Sequence, residues 1–208
     1  MLNPGDYTGT YKVIAGELCL DFANTVSYRY TDHPHEWLDS YANLVAWGQM
    51  VGLLSERQAQ ALLNEARERP EEAKAVLNQA ITLREAIEHI FAALKAGHSP
   101  QQDDLNTLNV FLADALHHLR MGRTTEGFTW EWVTDDKSLD PMLWPVAWSA
   151  VHLLMSDRIK TLGVCEECQW LYIDTSKNHS RRWCTMEDCG NRAKVRRHRK
   201  RKQEREHA

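Results

Sequence analysis

The sequence has no run of eighteen apolar residues, which argues against a membrane span. Its opening, MLNPGDYTGTYKV, has neither a basic start nor an apolar core, so no secretory signal is expected. No G-x-S-x-G, Walker loop, G-x-G-x-x-G or H-E-x-x-H occurs, which weighs against an enzyme and leaves no catalytic residue to nominate. Glycine and proline are sparse, at 10 and 6 of 208 residues, and form no linker; no internal repeat is present. Cysteine is scarce too. There are five, an odd number, and four of them lie between positions 165 and 189. That crowding does not suit a secreted disulfide framework; in a reducing cytosol it points to a metal site. What remains is ordinary for a globular chain: 43% hydrophobic and 26% charged residues, with enough length for one large domain or two smaller ones.

The net charge of −4 conceals a split. Residues 1–157 carry 11 Lys/Arg against 22 Asp/Glu, and residues 158–208 carry 14 against 7. Two units with different partners are expected, the basic one suited to a polyanion. The acidic unit could also fold against the basic one and mask it.

Tyr11–Tyr30 centres on LCLDFANTV, which fits either a short buried strand or the start of a helix. Helices are expected over Glu36–Gly52, from a capping box at Ser55–Gln58 through Arg69, from Pro70 to about Ala96, and after Ser99-Pro100. Phe128, Trp130 and Trp132 alternate with Thr129 and Glu131, predicting a strand with one buried face, paired with the stretch around His117–Met121. Asp140-Pro141 opens a further helix to about Thr161. Trp144 and Trp148, four apart on that helix, suit a core or a dimer surface.

Cys165 and Cys168 are two residues apart, Cys184 and Cys189 four apart, with fifteen residues between the pairs. Two close pairs on a hairpin-sized spacer present four thiolates to one tetrahedral ion, which is the requirement of structural zinc. Four cysteines would close the site, which opposes a catalytic zinc. Within the spacer, Trp170–Ile173 reads as a strand and DTSKN as the turn. The lone Cys19 reads as a small core residue.

These residues carry a resemblance. Cys165-Glu-Glu-Cys168, Asp174-Thr-Ser-Lys-Asn178, Arg181-Arg-Trp-Cys184 and Cys189-Gly-Asn-Arg192 together resemble the CGNR zinc-finger family. LCLDFANTV looks like the opening of the domain that precedes this finger in those proteins, one described as a stress-induced transcription regulator. The resemblance implies a bacterial, cytoplasmic, zinc-containing, DNA-binding regulator. The expected architecture is mainly α with a small β element. A helical regulatory or dimerisation domain (1–160) precedes a treble-clef-like zinc finger of knuckle, hairpin and helix (161–208).

From Arg196 to Arg205 the chain has seven Lys/Arg, one Glu and no apolar residue. A helix here has no stripe with which to dock on its own domain, and it stacks like charges at four-residue spacing. Phosphates would turn that repulsion into attraction. Residues 190–207 as a helix would span roughly 27 Å, enough to cross a DNA groove. The expected nucleic-acid contacts are Lys177, Arg181, Arg182, Arg192, Lys194, Arg196, Arg197, Arg199 and Lys200, with RNA as an alternative partner to DNA. Arg181 and Arg182 serve equally well to neutralise the cluster. Asn191 is a candidate to hydrogen-bond a sulfur or the facing hairpin. In the N-terminal domain Asp21, Asn24 and Thr25, with Arg158, are the candidates for an effector pocket; a structural role for the first three is the stronger reading. In that alternative the helical domain binds a ligand or is an enzyme, and the finger is a structural staple or a protein or RNA contact. The histidines His33/His35 and His117/His118 lack helical metal spacing and read as surface or packing residues.

Overall fold

The computed structural model describes residues 11–134 and 138–206; beyond Arg199, side chains are described only at Gln203 and Glu204. The LCLDFANTV segment opens with a six-residue helix, α1 (Leu18–Ala23). Asp21 decides this locally. Its Oδ1 accepts the backbone N–H groups of Ile14 (2.8 Å) and Ala15 (3.0 Å), folding the incoming chain back over the helix. Thr25 closes the other end by donating its hydroxyl to the Phe22 carbonyl at 2.7 Å.

After α1 come two short strands, β1 (Val26–Ser27) and β2 (His35–Glu36), paired antiparallel. Helix α2 (Tyr41–Met50) therefore begins five residues later than the sequence suggests. Glu36 is held in the β1–β2 pair, and Ser40 caps the helix by accepting the Asn43 N–H. Helix α3 (Glu56–Glu68) has the expected capping box between Ser55 and Gln58, and α4 (Pro70–Lys95) starts on Pro70. Gly97, at φ +76°, ends α4 in a left-handed conformation that suits glycine. Helix α5 (Gln102–His117) starts just past Ser99-Pro100 with no side-chain cap.

Strands β3 (Leu119–Thr124) and β4 (Gly127–Trp132) pair as expected, Leu119 opposite Trp132 and Met121 opposite Trp130. The buried face is not there. Phe128 is 75% and Trp130 57% exposed. The base of the hairpin meets the core, where Trp132 tilts against Trp144, and Trp130 sets its edge toward Trp148 of the following helix at 6.2 Å. Helix α6 (Leu143–Leu154) begins two residues after Pro141 and stops well short of Thr161, giving way to a 3-10 turn over Asp157–Thr161.

Helix α1 sits at the centre, packed on α4, α6 and the finger. Phe22 meets Trp47 at 4.9 Å, and Leu20, Leu83, Ile87, Ile90, Phe91 and Trp144 surround them. Burial of each such side chain contributes on the order of 1.5–3 kcal/mol. His118 stacks flat on Trp144 at 3.8 Å, and His35 sets its ring edge-on to Trp37, so both pack. Arg84 is a charged group inside this core. It is 3% exposed and forks onto Glu36 at 2.6 and 2.8 Å. No described helix is long and apolar enough to cross a membrane.

Candidate metal centre

Strand β5 (Leu162–Val164) pairs antiparallel with β6 (Leu171–Ile173), and Cys165 and Cys168 lie in the loop that joins them. This differs from the sequence reading, in which DTSKN turned the hairpin. Strands of three residues leave almost no periodic signal, and the pairing runs backward across the knuckle. The loop is held by Cys165 N–H on the Trp170 carbonyl (2.8 Å) and Gln169 N–H on the Cys165 carbonyl (3.0 Å). Gln169 adopts φ +66° to make that turn, a conformation that costs any residue but glycine. Gly163 is required for a different reason: a Cβ there would stand 2.4 Å from the Tyr172 ring.

The DTSKN stretch folds around Asp174. Its Oδ1 accepts Ser176 N–H and its Oδ2 accepts Arg181 N–H, each at 2.9 Å. The chain then delivers Cys184. Thr185 accepts Asp188 N–H, opening a single π-type turn (Met186–Gly190) that carries Cys189 and runs into α7 (Asn191–Glu206). Asn191 donates to the Glu187 carbonyl at 2.9 Å, neither to a sulfur nor to the hairpin.

All four cysteines are buried and unbridged, and their sulfurs lie within 4.8 Å of one another. Cys184 Sγ is 3.4 Å from Cys189 Sγ and 3.6 Å from Cys168 Sγ. A tetrahedron with 2.3 Å metal–sulfur bonds has edges of about 3.8 Å, so the spacing fits Zn²⁺, whereas a disulfide needs about 2.05 Å. Hydrogen bonding from Cys168, Cys184 and Cys189 draws the Cys165 thiol down, and the same crowding pushes Cys168 up. Four sulfurs this close do not all ionise without a cation among them. The cluster is thus capable of coordinating a metal ion. Cys19 lies apart in the core, and burial pushes its thiol up to about 12.

The basic residues around the cluster fall into distinct settings. Arg181 is committed inward: Nε donates to the Trp183 carbonyl, Nη2 to the Cys184 carbonyl, and the guanidinium lies 4.3 Å over the Tyr172 ring. Arg192 donates to Cys189 Sγ at 3.1 Å and lies over Tyr28. Arg182 forks onto Glu166 and Arg196 reaches Glu167, each at 2.6 Å. Lys177, Lys194, Arg197 and Arg199 are exposed. The side chain of Lys200 lies outside the described residues. Trp170 and Tyr172 are buried, and Trp183 is half-buried beside Arg182.

The candidate pocket residues of the N-terminal domain are placed differently from one another. Asp21 holds the 14–15 backbone. Asn24 reaches the finger: its Nδ2 donates to the Leu171 carbonyl (2.8 Å) and its Oδ1 accepts Leu171 N–H (2.9 Å), as a neighbouring strand would. Ile173 N–H adds a bond to the Ala15 carbonyl, and Trp170 Nε1 one to the Val26 carbonyl. Lys12 pairs with Asp188 at 2.7 Å. Arg158 is half-exposed and binds Glu17 and the Gly16 carbonyl. The finger is thereby built onto the LCLDFANTV segment, and the residues of both share one hydrophobic core. Sequence reading missed Lys12, Asp188 and the two knuckle glutamates as partners of this site. The adjacent acids between Cys165 and Cys168, facing a basic helix, were the available signal.

Two family models match the chain. The ABATE model, described as "Putative stress-induced transcription regulator", covers residues 16–157, and the CGNR zinc finger model covers residues 161–202. No curated protein matches it. The chain belongs to the ABATE family, its helical domain followed by a CGNR zinc-finger domain.

Proposed function

We propose that this protein is a zinc-dependent DNA-binding regulator without catalytic activity. One structural Zn²⁺ is held by Cys165, Cys168, Cys184 and Cys189, and it fixes the start of α7. The observation that carries the reading is the helix itself. After Val195 it offers no apolar residue, yet it grows from a closed cluster docked on the core. A rod without an apolar stripe, with cations along its length, suits a phosphate backbone. Lys177, Lys194, Arg197, Arg199 and Lys200 would meet phosphates directly. Arg182, Arg192 and Arg196 would do so after leaving their partners within the finger, and Arg181 supports the fold of the finger. Residues 1–160 form the regulatory or dimerisation part, and 161–208 the DNA-binding part, in a bacterial cytoplasm.

Titration of duplex DNA tests this. Arg196, Arg197 and Arg199 replaced together by Gln should weaken binding to all sequences alike, and chelation of the metal should abolish it. Binding unaffected by both refutes the proposal. A second reading, the finger as a staple, draws support from the Asn24–Leu171 bonds; there chelation would destabilise the whole chain with no DNA binding to lose. Structured RNA in competition with duplex DNA separates the two nucleic acids.

A further inference from the structure

A groove of about 700 Å³ runs along one side of α7. Arg192, Arg196 and Arg199 line it from the helix at three- and four-residue steps, and Glu167, Glu187 and Asp188 from the finger. The glutamate is out of place for a surface that only binds phosphate. Glu167 is 10% exposed, and while Oε1 takes Arg196, Oε2 is buried with no hydrogen-bond partner among the described residues. An acceptor left in that state is unfavourable until it meets a donor. A cation site is not the answer. Among the described residues only the four cysteines converge closely enough to hold an ion.

A carboxylate at the root of a basic helix repels phosphate and needs a donor. Base edges supply one. In the major groove cytosine offers its N4 amino group, and Glu or Asp is the side chain that accepts it. The flexible, largely exposed Arg196 is the group able to move. We propose that Glu167 is the base-reading residue of the finger: Arg196 transfers to a phosphate, and the freed carboxylate accepts the amino group of a cytosine. The inference rests on the DNA-binding reading above. Glu167 sets sequence preference, while the arginines around it set affinity. Unpaired, the carboxylate also penalises sites that lack the amino group, so it selects by exclusion as well as by contact.

The test uses the full-length, zinc-loaded chain and a set of duplexes, derived from a selected site, with each base pair changed in turn. Wild type should discriminate for cytosine at one position by about tenfold or more. Glu167→Gln should move the preference at that position toward adenine, whose N6 and N7 suit an amide, with zinc content unchanged. A merely structural Glu167 would not produce such a switch. If the variant binds with unaltered base preference, the inference is overturned and the DNA-binding reading stands. If wild type binds no duplex, that reading itself fails. Should Glu167→Gln lose its metal or fold, Arg196→Gln decides. Weaker binding with the cytosine preference kept supports the assignment, and loss of that preference overturns it.

Discussion

Asn24 offers a sharp test of how the finger is held. Its side-chain amide makes two bonds to Leu171, at 2.8 and 2.9 Å, in a setting where both residues are buried. Asn24→Ala removes both partners at once and leaves a buried N–H and a buried carbonyl unpaired. At about 1–3 kcal/mol for each stranded group, the loss should be roughly 2–6 kcal/mol. For a chain of this length that lowers the melting temperature by roughly 4–24 °C. Asn24→Asp is the informative companion. It keeps the acceptor for Leu171 N–H and sets a second acceptor against the Leu171 carbonyl, so it should be no better than alanine. The assay is thermal unfolding by tryptophan fluorescence, run beside the rate of zinc transfer to a chelator. Both readouts should move together, because β6 lies directly after the knuckle. A change below about 0.5 kcal/mol, as at an ordinary surface site, would refute the docking described here.

Further outcomes follow from other parts of the core. Glu36→Ala leaves Arg84 buried with Glu85 as its remaining carboxylate, and should cost about 2–3 kcal/mol in urea unfolding. Burial pushes the Asp21 carboxyl up to about 6, against the backbone bonds from Ala15 and Ile14 that favour its ionised form. A group whose pKa is higher in the folded than in the unfolded state stabilises below the unfolded value. Stability should therefore fall as pH rises from about 4 to about 6, by up to about 3 kcal/mol. Unfolding of Asp21→Asn measured across that range should lack this slope. Replacing Phe128 by Thr should change stability by no more than about 0.5 kcal/mol, because it is 75% exposed; a larger loss in a monomer would contradict its placement.

Elements with strong local chemistry were legible from sequence. The Ser55–Gln58 box and Pro70 fix α3 and α4 without help from the rest of the chain. The alternation of Phe128, Trp130 and Trp132 correctly gave a strand and its partner, but alternation does not say whether a core lies beneath it. The late start of α2 depends on β1 pairing with β2, a contact between two-residue strands that no window of sequence reveals. The four cysteines were legible because their spacing is itself the ligand geometry. The role of Asn24 was not, since its partner lies 147 residues away. Arg181 and Arg182 are adjacent and identical, yet one points into the finger and the other onto Glu166; backbone direction alone separates them.

The central claim is that the helix after Cys189 meets phosphates while a metal holds its base, and the ionic-strength dependence of duplex binding measures this most directly. The five cations that would meet phosphates directly predict a slope of about −4.5 in log K against log salt, or ~500-fold weaker binding at 200 mM than at 50 mM, and a steeper slope where Arg182, Arg192 and Arg196 join them. The slope should vanish with the binding when the metal is chelated. An affinity indifferent to salt, or the same affinity after the metal is removed, would contradict the account.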